Sequence, residues 1–266
     1  MKNYQLLDSG DGHKLERFGE FTLLRPCGQA VWRPTLKEKA DAVFTRDEKW
    51  AFHKKLPTSW TAIHGGVEFK IDLTDFGHLG LFPEHADLWE WMRPLVKGGS
   101  RILNLFAYSG GVTLAAAQQG AEVCHLDASK GMIDWARENA ALNGLQKAPI
   151  RWIVDDALKF LKREKRRESL YDGIILDPPT FGRGSQGEVF KIERDIMPLL
   201  GACRELLSPK PLFVIFSCHT PGFTPLCMRH LLGQTMPKGE IEVGEMALHS
   251  AGALSIPSGS FARWTP

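Results

Sequence analysis

The chain has 266 residues, 43% of them hydrophobic, and its 33 Lys and Arg against 31 Asp and Glu leave a formal net charge of +2. That is enough apolar material to bury a full core in one large domain, or in a large domain with a small appendage. The charge is too mild to announce nucleic-acid binding, so any basic surface has to be local.

No stretch approaches the ~18 unbroken apolar residues of a membrane span, and the start MKNYQLLDSGDGHK has no apolar core of signal-peptide type. The five cysteines are scattered, with no C-x-x-C and no His cluster at metal-ligand spacing. A cytoplasmic protein with reduced thiols and no metal is therefore expected.

Residues 1–94 read as a β-rich segment. Short apolar pieces such as FTLLRP, QAVWRP and GVEFKIDL alternate with Gly, Pro and charged turns, and a helical period appears only around HADLWEWM. From Arg101 onward the rhythm changes to aliphatic runs at 101–106, 121–127, 149–154, 172–177 and 211–217, with helical patterns at 110–119, 129–143, 157–168 and 189–207 between them. The tail pieces GEIEVGEMAL and GSFARW read as a closing hairpin. This alternation predicts an α/β domain over 95–266 with a doubly wound, mainly parallel sheet of seven strands, whose ligands bind at the carboxyl ends of the strands.

The predicted strand tips carry chemistry. The first gives NLFAYSGG, 104–111, where paired glycines allow close approach to a ligand before a helix begins, without the G-x-G-x-x-G spacing of a dinucleotide loop. The second carries Asp127, placed for a ribose diol. The third carries Asp155 and Asp156. The fourth ends in ILDPPTFGRG, where Pro178 and Pro179 stop the ladder and hold Asp177 at the tip. Each acid alone could be a helix cap or a turn residue. Together they ask for a ligand with a ribose, an exocyclic amine and a positive centre, which methionine-activated adenosine meets better than NAD.

The run ILNLFAYSGGVTLAAAQQGAEVCHLDASKGMIDWARENAALNGL, followed by ILDPPTF, resembles the class I S-adenosylmethionine-dependent methyltransferases with a Rossmann-like sheet, in particular the bacterial large-subunit ribosomal RNA methyltransferases. The resemblance implies S-adenosylmethionine as cofactor and RNA as partner. It sets Asn104, Phe106, Tyr108 and Gly110 on the methionine side, Asp127 on the ribose and Asp156 on the adenine amine, with Asp177 and Pro178 bordering the cofactor. The segment FGHLGLFPEHADLW is similar to a piece that closes the cofactor pocket in that family. Relatives that methylate cytosine begin with a separate RNA-binding domain, and this chain is expected to start after it, leaving recognition to residues 1–94.

FSCHT ends the fifth run. Carbon 5 of a pyrimidine is a poor nucleophile, and enzymes that methylate it add a cysteine thiolate at carbon 6. Cys218 is similar in position to that nucleophile, in which case Asp177 contacts the ring edge of a flipped-out base, with Pro179, Phe181 and Arg183 at the substrate. The alternative is methylation of a nitrogen, for example guanine N7, with D-P-P-T-F and no thiol. Cys218 is then a packed residue. A non-catalytic cofactor- or RNA-binding protein ranks below both. KREKRRE, 162–168, is either a phosphate contact or a complement to a helix dipole, and GRGSQGE, 182–188, reads as a loop over the site. Trp91, Trp135 and Trp152 are expected in the core, and Trp32, Trp50 and Trp60 are open between base stacking and packing.

Overall fold

The computed structural model describes residues 3–36, 38–45, 47, 49–184 and 187–266. They divide into two compact units, residues 1–86 with 247–258, and residues 87–246 with 259–266.

The first unit is built from strands β1 (Tyr4–Gly10), β2 (His13–Phe18), β3 (Phe21–Pro26), β4 (Ala42–Phe44) and β5 (Trp50–Phe52) in one sheet in that order, with β6 (Ser59–His64) and β7 (Val67–Asp72) as a separate hairpin. Two-residue turns set the registers. Asp11 and Gly12 join β1 to β2 with φ of 50° and 76°, and Gly65 and Gly66 join β6 to β7 with φ of 50° and 71°, the left-handed pair that matches strand twist in a tight hairpin. QAVWRP, expected as a strand, lies outside every strand. Its Trp32 indole N–H donates to the Ser9 carbonyl at 3.0 Å, and the carbonyls of Trp32 and Ala30 accept from Asp11 and Gly12 N–H at 2.8 Å, which ties the segment to the β1–β2 turn. Trp50 and Trp60 donate likewise to the carbonyls of Thr74 (2.9 Å) and Phe18 (2.8 Å), which makes all three structural.

The chain continues, mostly in the second unit, with α1 (Ala86–Met92), β8 (Arg101–Leu105), α2 (Gly111–Ala117), β9 (Glu122–Asp127), α3 (Lys130–Leu142), β10 (Ile150–Val154), α4 (Ala157–Arg166), β11 (Gly173–Leu176), β12 (Phe181–Arg183), β13 (Val189–Lys191), α5 (Ile192–Glu205), β14 (Phe213–Cys218), α6 (Pro225–Thr235), β15 (Glu240–Leu248) and β16 (Ile256–Thr265), the end of β15 and the start of β16 falling in the first. Seven strands pair in the order β10-β9-β8-β11-β14-β16-β15, with the first five parallel and β16 antiparallel to β14. This is the expected doubly wound sheet. The order reverses between β8 and β11, the switch point at which such sheets bind ligands.

β11 is buried at every position, GIIL, as a central parallel strand must be. Leu103, Leu105, Ile174, Leu176 and Phe216 of the sheet join Phe160, Leu199 and Leu200 of the helices in one core. Two expectations need correction. The helix read over 189–207 begins only at Ile192, because Val189–Lys191 pairs with Phe181–Arg183 as a hairpin. The loop read over 182–188 gives up only Gly182 and Arg183 to this hairpin; 184, 187 and 188 lie between its strands, and Ser185 and Gln186 lie outside the described residues. Trp91, Trp135 and Trp152 are half-buried, and the core indoles are Trp89 and Trp264. Trp91 meets Phe213 and the Arg263 guanidinium, Trp135 meets Tyr108, and Trp152, on the outermost strand β10, meets His125.

Candidate active site

The chain leaves β8 through a strained loop. Phe106 (φ 56°) and Tyr108 (φ 50°) take left-handed conformations that L-residues rarely adopt, and Gly110 (φ 92°) follows. The loop is held to the next strand by Ala107 N–H on the Leu126 carbonyl (3.0 Å) and Tyr108 N–H on Asp127 Oδ2 (3.0 Å). Gly110 is the N-cap of α2, and a Cβ there would stand 3.1 Å from the Ala136 methyl and 3.6 Å from His125 Cε1. Only glycine fits both the conformation and the space.

Asp127 ends β9. Its second oxygen accepts from Ser129 N–H at 2.8 Å, and burial raises its carboxyl above the usual carboxylate range against the pull of these backbone donors. Capping of α3 falls to Ser129, whose hydroxyl accepts from Met132 N–H, so Asp127 is not spent as the cap. Asp156, by contrast, does cap α4, its Oδ1 accepting from Lys159 N–H at 2.9 Å. Neighbouring Asp155 pairs with Arg163.

Asp177 follows β11. Its Oδ1 accepts from the Ser217 hydroxyl at 2.8 Å, and its Oδ2 lies 3.8 Å from His219 Nε2. Beyond Pro178 and Pro179, the Thr180 and Thr220 hydroxyls meet at 2.7 Å, which ties the turn after β11 to the turn after β14. The β12–β13 hairpin then exposes Phe181 with the Arg183 guanidinium 5.7 Å from its ring, and presents Phe190 to Phe106 at 5.4 Å between centroids.

Cys218 closes β14. It is 1% exposed, its sulfur accepts from Thr220 N–H at 3.4 Å, and burial, reinforced by the Asp177 charge, pushes the thiol up from its ordinary value. Gly259 (φ 108°) runs so close that a Cβ there would meet the Cys218 carbonyl at 2.7 Å and His219 Nδ1 at 3.1 Å.

Residues 43–230 match the profile of the S-adenosylmethionine-dependent methyltransferases. The chain belongs to that family. A methyltransferase from Agrobacterium tumefaciens has the same fold over all of this chain and 91% of its own, with 41% identity and a TM-score of 0.95. SMU.776, solved in complex with S-adenosylhomocysteine, superposes over 99% of this chain and 76% of its own with a TM-score of 0.81, and at 21% identity that likeness is one of fold. Among curated proteins, the ribosomal RNA large subunit methyltransferase K/L of Shewanella frigidimarina is 38% identical over 146 residues, 54% of this chain. The match takes in only 20% of that relative's length.

This methyltransferase is thus an enzyme that uses S-adenosylmethionine. No helix among the described residues is long and apolar enough to cross a membrane. The basic run at the end of α4 is largely engaged within the chain, with Lys165 on Glu205 at 2.7 Å and Arg167 on Glu164 at 3.2 Å, while Arg163 takes Asp155. Three cations that pair this way offer less to a phosphate backbone than their number suggests.

Beneath the methyltransferase's loop lies a network that the sequence did not point to. Asn104 Nδ2 donates to Thr113 Oγ1 at 3.0 Å, and Thr113 Oγ1 lies 2.8 Å from His125 Nδ1, all three fully buried. The threonine oxygen accepts from Asn104 and shares one hydrogen with His125 Nδ1, which links the end of β9 to the first turn of α2. Burial drives the imidazole down to about 3 from its ordinary 6.5. The unfolded chain therefore protonates this histidine first, and the stability it contributes is whole above pH 6.5 and drains away as the pH falls from 6.5 towards 3. At about 1.4 kcal/mol per pH unit the full loss is roughly 5 kcal/mol. Urea unfolding across that window should show His125→Gln with a shallower pH slope by about one proton, and parallel slopes would refute the assignment.

Proposed function

We propose that this enzyme methylates a nitrogen of a nucleobase in RNA, with ribosomal RNA the first candidate, and that Asp177 holds the acceptor. The observation that carries the reading is the contrast at two adjacent strand tips. Asp177 is fixed in direction by Ser217 and two prolines, whereas the neighbouring thiol is buried and its pKa is raised. A nucleophilic cysteine needs thiolate character and access, and Cys218 has neither. The ribosomal RNA methyltransferase K/L relatives support the substrate class.

S-adenosylmethionine supplies an electrophilic methyl group on a positively charged sulfur. The residues present fit it. Asp127 receives backbone N–H groups from Tyr108 on one oxygen and Ser129 on the other, with Ala128 adding a third, and two carboxylate oxygens with about four lone-pair sites keep acceptor capacity for a ribose hydroxyl. The loop 106–110 brings backbone to the methionine side, with Gly110 leaving the space, and Asp156 keeps one oxygen for the adenine amine beside its capping bond. Asn104 acts from below, through Thr113 on the first turn of α2. At the acceptor, Asp177 receives a hydrogen bond from the target N–H and aims the nitrogen lone pair. An exocyclic amine or ring N–H gains the methyl and loses its proton, for which the Asp177 carboxylate is the base in reach, whereas a nitrogen without hydrogen, such as guanine N7, gains the methyl, loses no proton and leaves a cation beside that carboxylate. Pro178 and Pro179 hold the carboxylate in place, and Phe181 with Arg183 stacks on the flipped base. The unit formed by residues 1–86 would add contacts to RNA, and the reduced thiols suit a cytoplasmic setting.

The test is Cys218→Ala assayed for methyl transfer to RNA from cells lacking the gene. The variant should keep kcat within about threefold of wild type, as a small packing change that leaves the Ser217–Asp177 bond in place allows. A fall of more than a hundredfold in a variant with a native unfolding curve would restore the carbon-5 mechanism with Cys218 as nucleophile.

A further inference from the structure

A cavity of about 310 Å³ opens within the first unit, lined by Lys14, Arg25 and Phe44 and by residues 76–84 of the segment that resembles a cofactor-closing piece, so the binding test is made with the cofactor site filled. Its size falls at the lower end of small-ligand sites, about 300–1,000 Å³. Phe44, Phe76 and Phe82 supply aromatic walls, and Lys14, Arg25 and Glu84 supply the polar groups.

The cavity is built deliberately. Gly77 (φ 72°) presses its backbone against Phe44, where a Cβ would meet the ring at 2.8 Å, and its carbonyl accepts from Arg25 Nη1 at 2.9 Å. The neighbouring Phe76 ring is left 78% exposed at the mouth. Phe82 is braced edge-on by His78 at 5.6 Å.

Charge decides what the cavity takes. Arg25 is committed to the fully buried Glu16, with contacts at 2.6 and 2.8 Å, and Lys14 lies 3.5 Å from the same carboxylate. Glu84, itself buried, lines the opposite polarity. Two cations set against two carboxylates leave no surplus for a phosphate. They do put an amine, Lys14 Nζ, and a carboxylate, Glu84, on the same wall set as three aromatic rings. A flat, uncharged ring carrying an amine beside a carbonyl or ring-nitrogen acceptor meets all of these.

We infer that this cavity binds an amine-bearing nucleobase of the RNA, at a position other than the methylated one, stacked on Phe76 and held through its amine by Glu84. The inference deepens the RNA reading and rests on it. The experiment titrates cytidine, guanosine and uridine, which carry no phosphate, into the full chain saturated with S-adenosylhomocysteine, by calorimetry or ligand-observed NMR. Cytidine and guanosine should bind at least tenfold more tightly than uridine. Phe76→Ala, an exposed ring whose removal leaves the fold alone, should weaken them at least tenfold, and Glu84→Gln should erase the preference over uridine.

Equal binding of uridine, indifference to Phe76→Ala, binding seen only without S-adenosylhomocysteine, or no binding at all would each overturn the assignment. If the nucleosides fail while RNA is still methylated, the cavity assignment alone falls. If the methyl group is found on a protein or a small molecule, the RNA reading falls whatever the nucleosides do.

Discussion

Asp177→Ala is expected to lower kcat by about 10²–10³-fold while S-adenosylmethionine binds within a few fold of wild type, the usual loss when one pre-positioned group facing the developing charge is removed. The reasoning is geometric. The carboxylate stands at the end of a wholly buried strand, cannot follow the chain because two prolines come next, and is oriented by Ser217 at 2.8 Å. Such a group is fixed before the substrate arrives, so its stabilisation of the nitrogen that becomes positive costs no reorganisation. Single-turnover rates with the cofactor prebound separate this from a binding defect. A variant that loses cofactor affinity in proportion to its rate would place Asp177 at the cofactor alone. Ser217→Ala should reproduce a smaller part of the loss, since it releases one oxygen of the same carboxylate without removing it.

The second large effect is expected for Gly110→Ala. A left-handed conformation costs an L-residue roughly 1–2 kcal/mol. The added methyl at 3.1 Å from Ala136 also overpacks a closed contact, typically for about 1–3 kcal/mol more. A total of roughly 2–5 kcal/mol is a large share of an ordinary domain's stability. Any molecule that remains folded does so by shifting the loop 106–110, and S-adenosylmethionine affinity falls with it. Gly144→Ala is the control, because Gly144 is also left-handed (φ 69°) and has nothing within 4 Å of the added methyl. It should lose only the conformational part and bind the cofactor normally. Equal losses in the two variants would show that the contact with Ala136 has no influence.

Much of this architecture was legible in the chain because its signals are local. The aliphatic run GIIL ending in D-P-P can only be a buried parallel strand with an acid at its tip, and Asp127 and the Gly110–Gly111 pair announce themselves in the same way. What was not legible depends on partners far apart in sequence. Val189–Lys191 looks helical by pattern and becomes a strand because Phe181–Arg183 lies beside it. His125 alternates like any strand residue, and nothing near it in sequence says that Thr113 will meet its ring or that burial will strip its proton. The burial of Cys218 is likewise a property of the sheet, since the strand that covers it is Ile256–Thr265, and a cysteine at a strand tip reads as accessible until that pairing is known. How far the basic run at 162–168 is engaged within the chain was also not legible, because two of its partners, Asp155 and Glu205, lie outside the run.

The central claim, methyl transfer to a nucleobase nitrogen, is tested most directly by locating the methyl group. Isotopically labelled S-adenosylmethionine is supplied to the wild-type enzyme with RNA from cells lacking the gene, and the product is digested to nucleosides and identified by mass spectrometry. Label on a ring or exocyclic nitrogen of one nucleoside is the result predicted here. Label in 5-methylcytidine or 5-methyluridine would contradict it and return the reaction to the thiol.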